Sequence, residues 1–292
     1  MSNFGNNERN EIMKLFLLSI FILLVTGSCA TNPVTGRSQA STVTNADIFP
    51  QSFAAYKETL AKEKLSTNKV YNDQVTRVGK KIQASVERYF IEAGMPNYLK
   101  DYKWEYKVIE SKELNAWCMP GGKVAFYTGI MPVCGDDAGL AVVMGHEIAH
   151  AIANHGAERM SQAQIQQTVG VLGAVALGAG GVSGGTSNLV LQAYGVGSEM
   201  GMLSYSRKHE SEADEMGLLF MALAGYDPKE APAFWKRMEA KSNEKGDSKP
   251  PVFLSTHPNS STRVSDLTRL MPIAEEVYRT GSPKPYLEMK RK

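Results

Sequence analysis

The run Leu140-Ala-Val-Val-Met-Gly-His146-Glu147-Ile-Ala-His150-Ala-Ile152 constrains this chain more than any other stretch. Apolar residues recur around the two histidines (Leu140, Val143, Met144, Ile148, Ala151, Ile152). No glycine or proline interrupts the run after Gly145, so the spacing predicts a helix. His146 and His150 stand four apart and share one face of it. Two imidazoles so placed can take one tetrahedral Zn²⁺. Glu147 is one step round, where its carboxylate can reach a metal-bound water and remove its proton. The competing reading is a wet helix face with two chance histidines. Three observations weigh against it: the chain has only 5 histidines, the flanks are apolar enough to bury the rings, and a second segment offers a third ligand.

That second segment, Ser204 to Gly225, reads as a long helix stopped by Gly225. Asp227-Pro228 starts the next helix, to about Met238. Glu210 and Asp214 are four apart on one face. Zinc held by two histidines takes a carboxylate as its third protein ligand, which suits Glu210. Asp214, one turn on, can accept a hydrogen bond from the free nitrogen of a zinc-bound histidine. Glu212 points elsewhere and is expected to be solvated. His155, five beyond His150, misses the six-residue spacing of a third histidine ligand and is read as structural.

The 292 residues are 43% hydrophobic and 21% charged, with a net charge of +2. They suit one large domain or two small ones, and near-neutral charge offers no ground for nucleic acid as a partner. No repeat of solenoid length is visible, and Lys290-Arg-Lys292 reads as a solvated tail. Met13 to Cys29 has a short basic start, an apolar run and small residues, the pattern of a secretory signal with Met13 as a candidate start. The small residues ending at Cys29 resemble the bacterial lipoprotein processing site, where the cysteine is lipidated and becomes the new N-terminus. Thr26 departs from that pattern. Ala30 follows instead of Asp, which by the same resemblance favours the outer membrane, facing the periplasm. An ordinary cleaved signal or an uncleaved anchor are the alternatives. Cys118 and Cys134 flank a predicted hairpin and read either as a bridge or as two buried thiols.

Residues 30–50 read as a tether and lead-in segment. Residues 51–95 carry two helices, parted near Ser66-Thr-Asn68, with Asn68 or Asn72 as cap. Residues 103–109 alternate as a strand. Pro120-Gly121-Gly122 forms a turn, and Lys123 to Thr128 a strand that the neighbouring proline and glycines place at a sheet edge. Such an edge can pair with an extended peptide; the plainer alternative is a hairpin covering the core. Asp136-Asp137 caps the motif helix, read as continuing through Arg159-Met-Ser161. The Gly-, Ala- and Ser-rich run at 169–186 is too short and glycine-rich for a membrane span. It reads as a flexible loop or, less favoured, a flap near the site.

Four stretches together carry a family resemblance: His146-Glu-x-x-His150, Ser206-Arg-x-x-Glu210-x-Glu-Ala-Asp214, Asn115-Ala with Pro120-Gly-Gly, and Ser255-Thr-His257-Pro. The chain resembles the gluzincin family of zinc endopeptidases typified by HtpX and the CAAX prenyl proteases. Its layout is closest to the periplasmic lipoprotein branch, whose leading segment Asn32-Pro-Val-Thr-Gly-Arg37 also resembles. The resemblance implies one Zn²⁺ per chain on His146, His150 and Glu210, with Glu147 as base and Asp214 in support. It implies an α+β, mainly helical, zincin-like domain at 51–292, behind a signal at 1–29 and the tether at 30–50. The small sheet would present an edge strand to the active-site cleft, with Asn115, Pro120, Gly121 and Gly122 binding substrate. His257 is implied near the zinc, either as a switch that blocks the water position or as a donor to the oxyanion. The expected activity is cleavage of unfolded or misassembled envelope proteins by a chain held at the membrane through lipidated Cys29. Two alternatives stay open: an outer-membrane protein assembly factor whose metal site is plugged by His257, and a purely structural zinc.

Overall fold

The computed structural model describes residues 29–164, 205–244, 251–258 and 262–291. The leader, Met13 and the glycine-rich run at 169–186 lie outside these residues. Strands β1 (Cys29–Thr31) and β2 (Ser38–Ala40) pair antiparallel. The turn between them is held by Asn32, whose Oδ1 accepts from the amides of Val34 and Thr35 at 2.8 and 3.1 Å. Residues 30–50, read from the sequence as a tether and lead-in segment, thus carry a hairpin and the start of a helix. Helix α1 (Asn45–Lys62) already begins inside that stretch, because Thr44 and Asp47 form a capping box. Asn68 caps α2 (Lys69–Glu92), which buries Val75, Val78, Ile82, Val86 and Phe90 on one stripe, as its periodicity predicts.

The main sheet has the order β3 (Glu105–Ile109), β5 (Lys123–Tyr127), β4 (Ala116–Met119). Strand β5 runs parallel to β3 and antiparallel to β4. The strand expected at the edge is thus the central one, and β4 is an edge. Pro120 and the glycines misled because they serve the β4–β5 turn and take no ladder position. Gly121 and Gly122 sit at φ +79° and +83°, where a side chain would be strained and would strike Phe53 and Trp104.

Short α3 (Met131–Cys134) leads to α4 (Asp137–Ile152), capped by Asp136 and buried on every side from Gly139 onward. A helix apolar all round belongs in the interior. It does not run on to Ser161. The chain turns at Asn154, with φ 56°, and is helical again over 155–164. Asparagine is one of the few residues that tolerates this left-handed conformation, so the break needs no glycine.

Helix α5 (Arg207–Leu223) starts at the Ser206 cap and ends before Gly225 at φ +80°. Helix α6 (Glu230–Glu244) extends past Met238. The Ser255-Thr256-His257 stretch belongs to the short helix α7 (Val252–Thr256), with His257 at its C-cap. Helices α8 (Arg263–Thr280) and α9 (Lys284–Lys290) close the described chain. Cys118 and Cys134 are buried free thiols, so the bridge reading falls. Among the described residues no helix is long and apolar enough to cross a membrane.

Candidate metal centre

The centre exists because α4 and α5 approach within backbone contact. A β-carbon on Gly145 would lie 2.8 Å from the carbonyl oxygen of Gly217, so neither position tolerates a side chain without displacement. Gly145 adjoins His146. Gly217 lies three residues past Asp214 and seven past Glu210, on their face of α5.

The crossing brings His146, His150, Glu210 and His257 together, with ligand atoms all within 4.8 Å of one another and all four side chains buried. The Nε2 atoms of His146 and His150 are 3.0 Å apart. Glu210 sets its two carboxylate oxygens 3.4 Å from His146 Nε2 and 3.3 Å from His150 Nε2. His257 adds Nδ1, 3.1 Å from Glu210 and 3.2 Å from His146 Nε2. The three expected ligands are thus joined by a fourth side chain.

Hydrogen-bond partners assign the tautomers. Asp214 accepts from His146 Nδ1 at 2.9 Å, which leaves His146 Nε2 bare. His155 gives its Nε2 proton to Glu212 at 2.8 Å, so its Nδ1 accepts the Nδ1 proton of His150 at 2.9 Å. His150 Nε2 is then bare as well. Two lone pairs facing each other beside a carboxylate repel unless a cation lies among them. Two imidazoles and one carboxylate are a donor set that zinc favours, so these residues fit one zinc ion. A proton can stand in for the metal. Burial opposes charge on His146, but Asp214 and Glu210 outweigh burial and lift the ring to about 9. Burial pushes His150 well below the usual imidazole range. It would raise Glu210, yet His257 and His146 hold that carboxyl well below the ordinary range.

Glu147 is buried beside the cluster, with Oε1 3.5 Å from His257 Nε2. Among the described residues Oε1 has no hydrogen-bond partner. Burial lifts its carboxyl above the usual glutamate range. Arg263 is buried with its Nε 2.6 Å from Asp214 Oδ2, its other arm on Glu210, and its guanidinium 3.7 Å over the Trp235 ring. It fixes both carboxylates while balancing their charge.

Glu212 is not solvated. It accepts from His155, from Arg37 Nε at 2.7 Å and from the Thr35 hydroxyl. Segment 155–164 and the N-terminal hairpin both cover that face of α5, and Arg37 supplies the compensating charge. His209 pairs with Glu158 at 3.0 Å, and Arg37 pairs with Glu158 at 2.6 Å. All 5 histidines of the chain belong to this assembly. Sequence reasoning missed Arg37, Glu158, His209 and Arg263. The available signals were a repeated His-x-x-Glu spacing, His155 to Glu158 and His209 to Glu212, and the place of Arg37 at the end of the Asn32–Arg37 segment.

The expected substrate-binding residues divide. Asn115 is buried at the start of β4, the edge strand packed on α4; its Oδ1 accepts from Ala116 N, and its Nδ2 has no partner among the described residues. The Pro120-Gly121-Gly122 turn spends its carbonyls on Ser52, Lys103 and Glu105, and none of its described hydrogen bonds reaches the histidines. Cys29 lies in β1, paired with Ala40.

A family model described as peptidase family M48 matches residues 77–271, a span that holds all of the centre except Thr35 and Arg37. The chain is 38% identical over 177 residues to the mitochondrial metalloendopeptidase OMA1 of Schizosaccharomyces pombe, covering 61% of this chain and 49% of that protein. The human mitochondrial metalloendopeptidase OMA1 is 30% identical over 284 residues, 93% of this chain and 52% of its own length. The beta-barrel assembly-enhancing protease of Escherichia coli is 30% identical over 166 residues, 56% of this chain and 33% of that protein. The chain thus spans about half or less of the length of these relatives.

Proposed function

Because this chain belongs to peptidase family M48, we propose that it is a zinc-dependent endopeptidase acting on unfolded or misassembled polypeptides of the cell envelope. One observation carries the reading: His146 and His150 turn bare Nε2 atoms onto Glu210, with the buried Glu147 carboxylate beside them. One zinc ion held by His146, His150 and Glu210 supplies Lewis acidity to water and to the scissile carbonyl alike. Glu147 takes the proton of the attacking water and hands it to the leaving amine. Its raised carboxyl suits a group that must hold a proton between those two transfers. Asp214 and His155 keep the two imidazoles turned, and Arg263 keeps Glu210 and Asp214 in place.

Strand β4 aligns the substrate backbone by strand addition, with the free Nδ2 of Asn115 as a donor. Pro120, Gly121 and Gly122 take an indirect part, shaping the turn that sets β4. The signal-like leader ending in Cys29 supports a setting in the bacterial envelope, with Cys29 as the lipid anchor to the outer membrane. The name of the Escherichia coli relative, which ties that protein to β-barrel assembly, supports the same setting.

His257 favours a second reading. Its Nδ1 closes the ring of donors around the common point, which suits a self-inhibited site and an assembly factor that mainly holds its client. The primary reading is tested on the purified chain with casein and metal analysis. Wild type should carry one zinc. Glu147→Gln should keep it while cleaving on the order of 10²–10⁴-fold more slowly. Cleavage by that variant at the wild-type rate overturns the mechanism.

A further inference from the structure

Outside the clustered ligands, two matching pairs face each other across helices. His155 and Glu158 lie three apart on segment 155–164, and His209 and Glu212 three apart on α5. They bond crosswise, His155 to Glu212 at 2.8 Å and His209 to Glu158 at 3.0 Å. The two rings stack with centroids 4.5 Å and planes 25° apart. Arg37 spans both carboxylates from the N-terminal hairpin. Its Nε reaches Glu212 at 2.7 Å, and its terminal nitrogens reach Glu158 at 2.6 and 3.0 Å. Thr35 gives its hydroxyl to the other oxygen of Glu212. The loop carrying both residues is itself fixed by buried Asn32.

The hold passes inward to one ligand. His155 Nδ1 accepts the proton of His150 Nδ1 at 2.9 Å, and that contact turns the bare Nε2 of His150 toward Glu210. We propose that Arg37 and Thr35 are positioning residues for the zinc centre: the N-terminal hairpin seats Glu212, Glu212 seats His155, and His155 presents His150. This inference rests on the zinc reading above. It assigns a task to a segment that precedes the region matched by the family model, residues 77–271. A stretch resembling a tether thereby becomes part of the metal site's scaffold.

The test uses the full chain and the variants Arg37→Ala, Arg37→Lys, Thr35→Val and His146→Ala. Zinc affinity is read by chelator competition, geometry from the visible spectrum of the cobalt-substituted protein, and turnover as separate kcat and KM. Arg37→Ala should weaken zinc about 10–100-fold, the usual effect of losing an outer partner. Its cobalt bands should shift, and kcat should fall with KM nearly constant. Arg37→Lys should recover only part of the affinity, because a lysine point charge cannot span two carboxylates. A hairpin that merely adds stability would lower the melting temperature of Arg37→Ala and leave zinc affinity and cobalt spectrum as in wild type; that result overturns the proposal. If Arg37→Ala does not fold, unchanged affinity and spectrum in both Arg37→Lys and Thr35→Val overturn it. Wild type and His146→Ala holding equal zinc would instead sink the zinc reading, and this inference with it.

Discussion

Gly145 and Gly217 cross backbone to backbone: a β-carbon on Gly217 would stand 2.8 Å from the amide nitrogen of His146. The helix bearing His146 and His150 and the helix bearing Glu210 are held at a distance only glycine permits. In an open helix, Gly→Ala stabilises by up to about 1 kcal/mol. Here overpacking wins, and Gly217→Ala should cost about 1–3 kcal/mol. Urea unfolding of the metal-free chain measures it. Zinc affinity should fall in the same variant, since the helices must part.

Arg263 bonds Asp214 through its Nε and Glu210 through a terminal nitrogen, the permanent charge shared by both carboxylates. Arg263→Ala removes the permanent charge that two buried carboxylates share, a loss of about 3–5 kcal/mol for a broken buried pair. The deficit should be largest without metal and shrink at saturating zinc, whose charge replaces part of what was removed. Equal deficits with and without zinc would refute this account.

His257→Ala separates the two readings of that ring. As a plug, its removal should leave zinc content unchanged, because His146, His150 and Glu210 remain, and should raise casein cleavage. As a donor to developing charge, its removal should lower kcat by about 10²–10³-fold. Metal analysis and steady-state kinetics on one preparation decide between them.

Stability of the metal-free chain should peak near pH 6.5. On the acid side, burial holds His155 at about 4, below its ordinary 6.5. That ring stays neutral in the fold but charges in the unfolded chain, so its stability is present above 6.5 and lost as pH falls toward 4. Burial would raise Glu158 and Glu212, but their histidine partners and Arg37 hold both at about 2 against 4.5. Their stability is present above 4.5 and lost as pH falls toward 2. On the alkaline side, His146 at about 9 favours the protonated fold; that stability is complete below 6.5 and lost as pH rises through 9. Saturating zinc should abolish the alkaline loss, because a ligating imidazole must be deprotonated. Urea midpoints against pH, with and without zinc, test both limbs.

The face shared by His146 and His150, the cap at Asp136, the stop at Gly225 and the pairing of Glu210 with Asp214 were all legible as spacing. Each lies within a turn or two of one helix, and helical period is a local property that the side chains themselves impose. Nothing local separates Glu212 from a solvated carboxylate or marks Arg37 as its partner 175 residues earlier. Nor does spacing tell that β5 lies between β3 and β4, or that His257 reaches the metal ligands from the end of α7. Those outcomes depend on which surfaces meet when the chain packs, and the close passage of Gly145 against Gly217 is one such meeting. Periodicity sets the direction in which each side chain points along its own helix. Contact between elements far apart in the chain sets what it finds there.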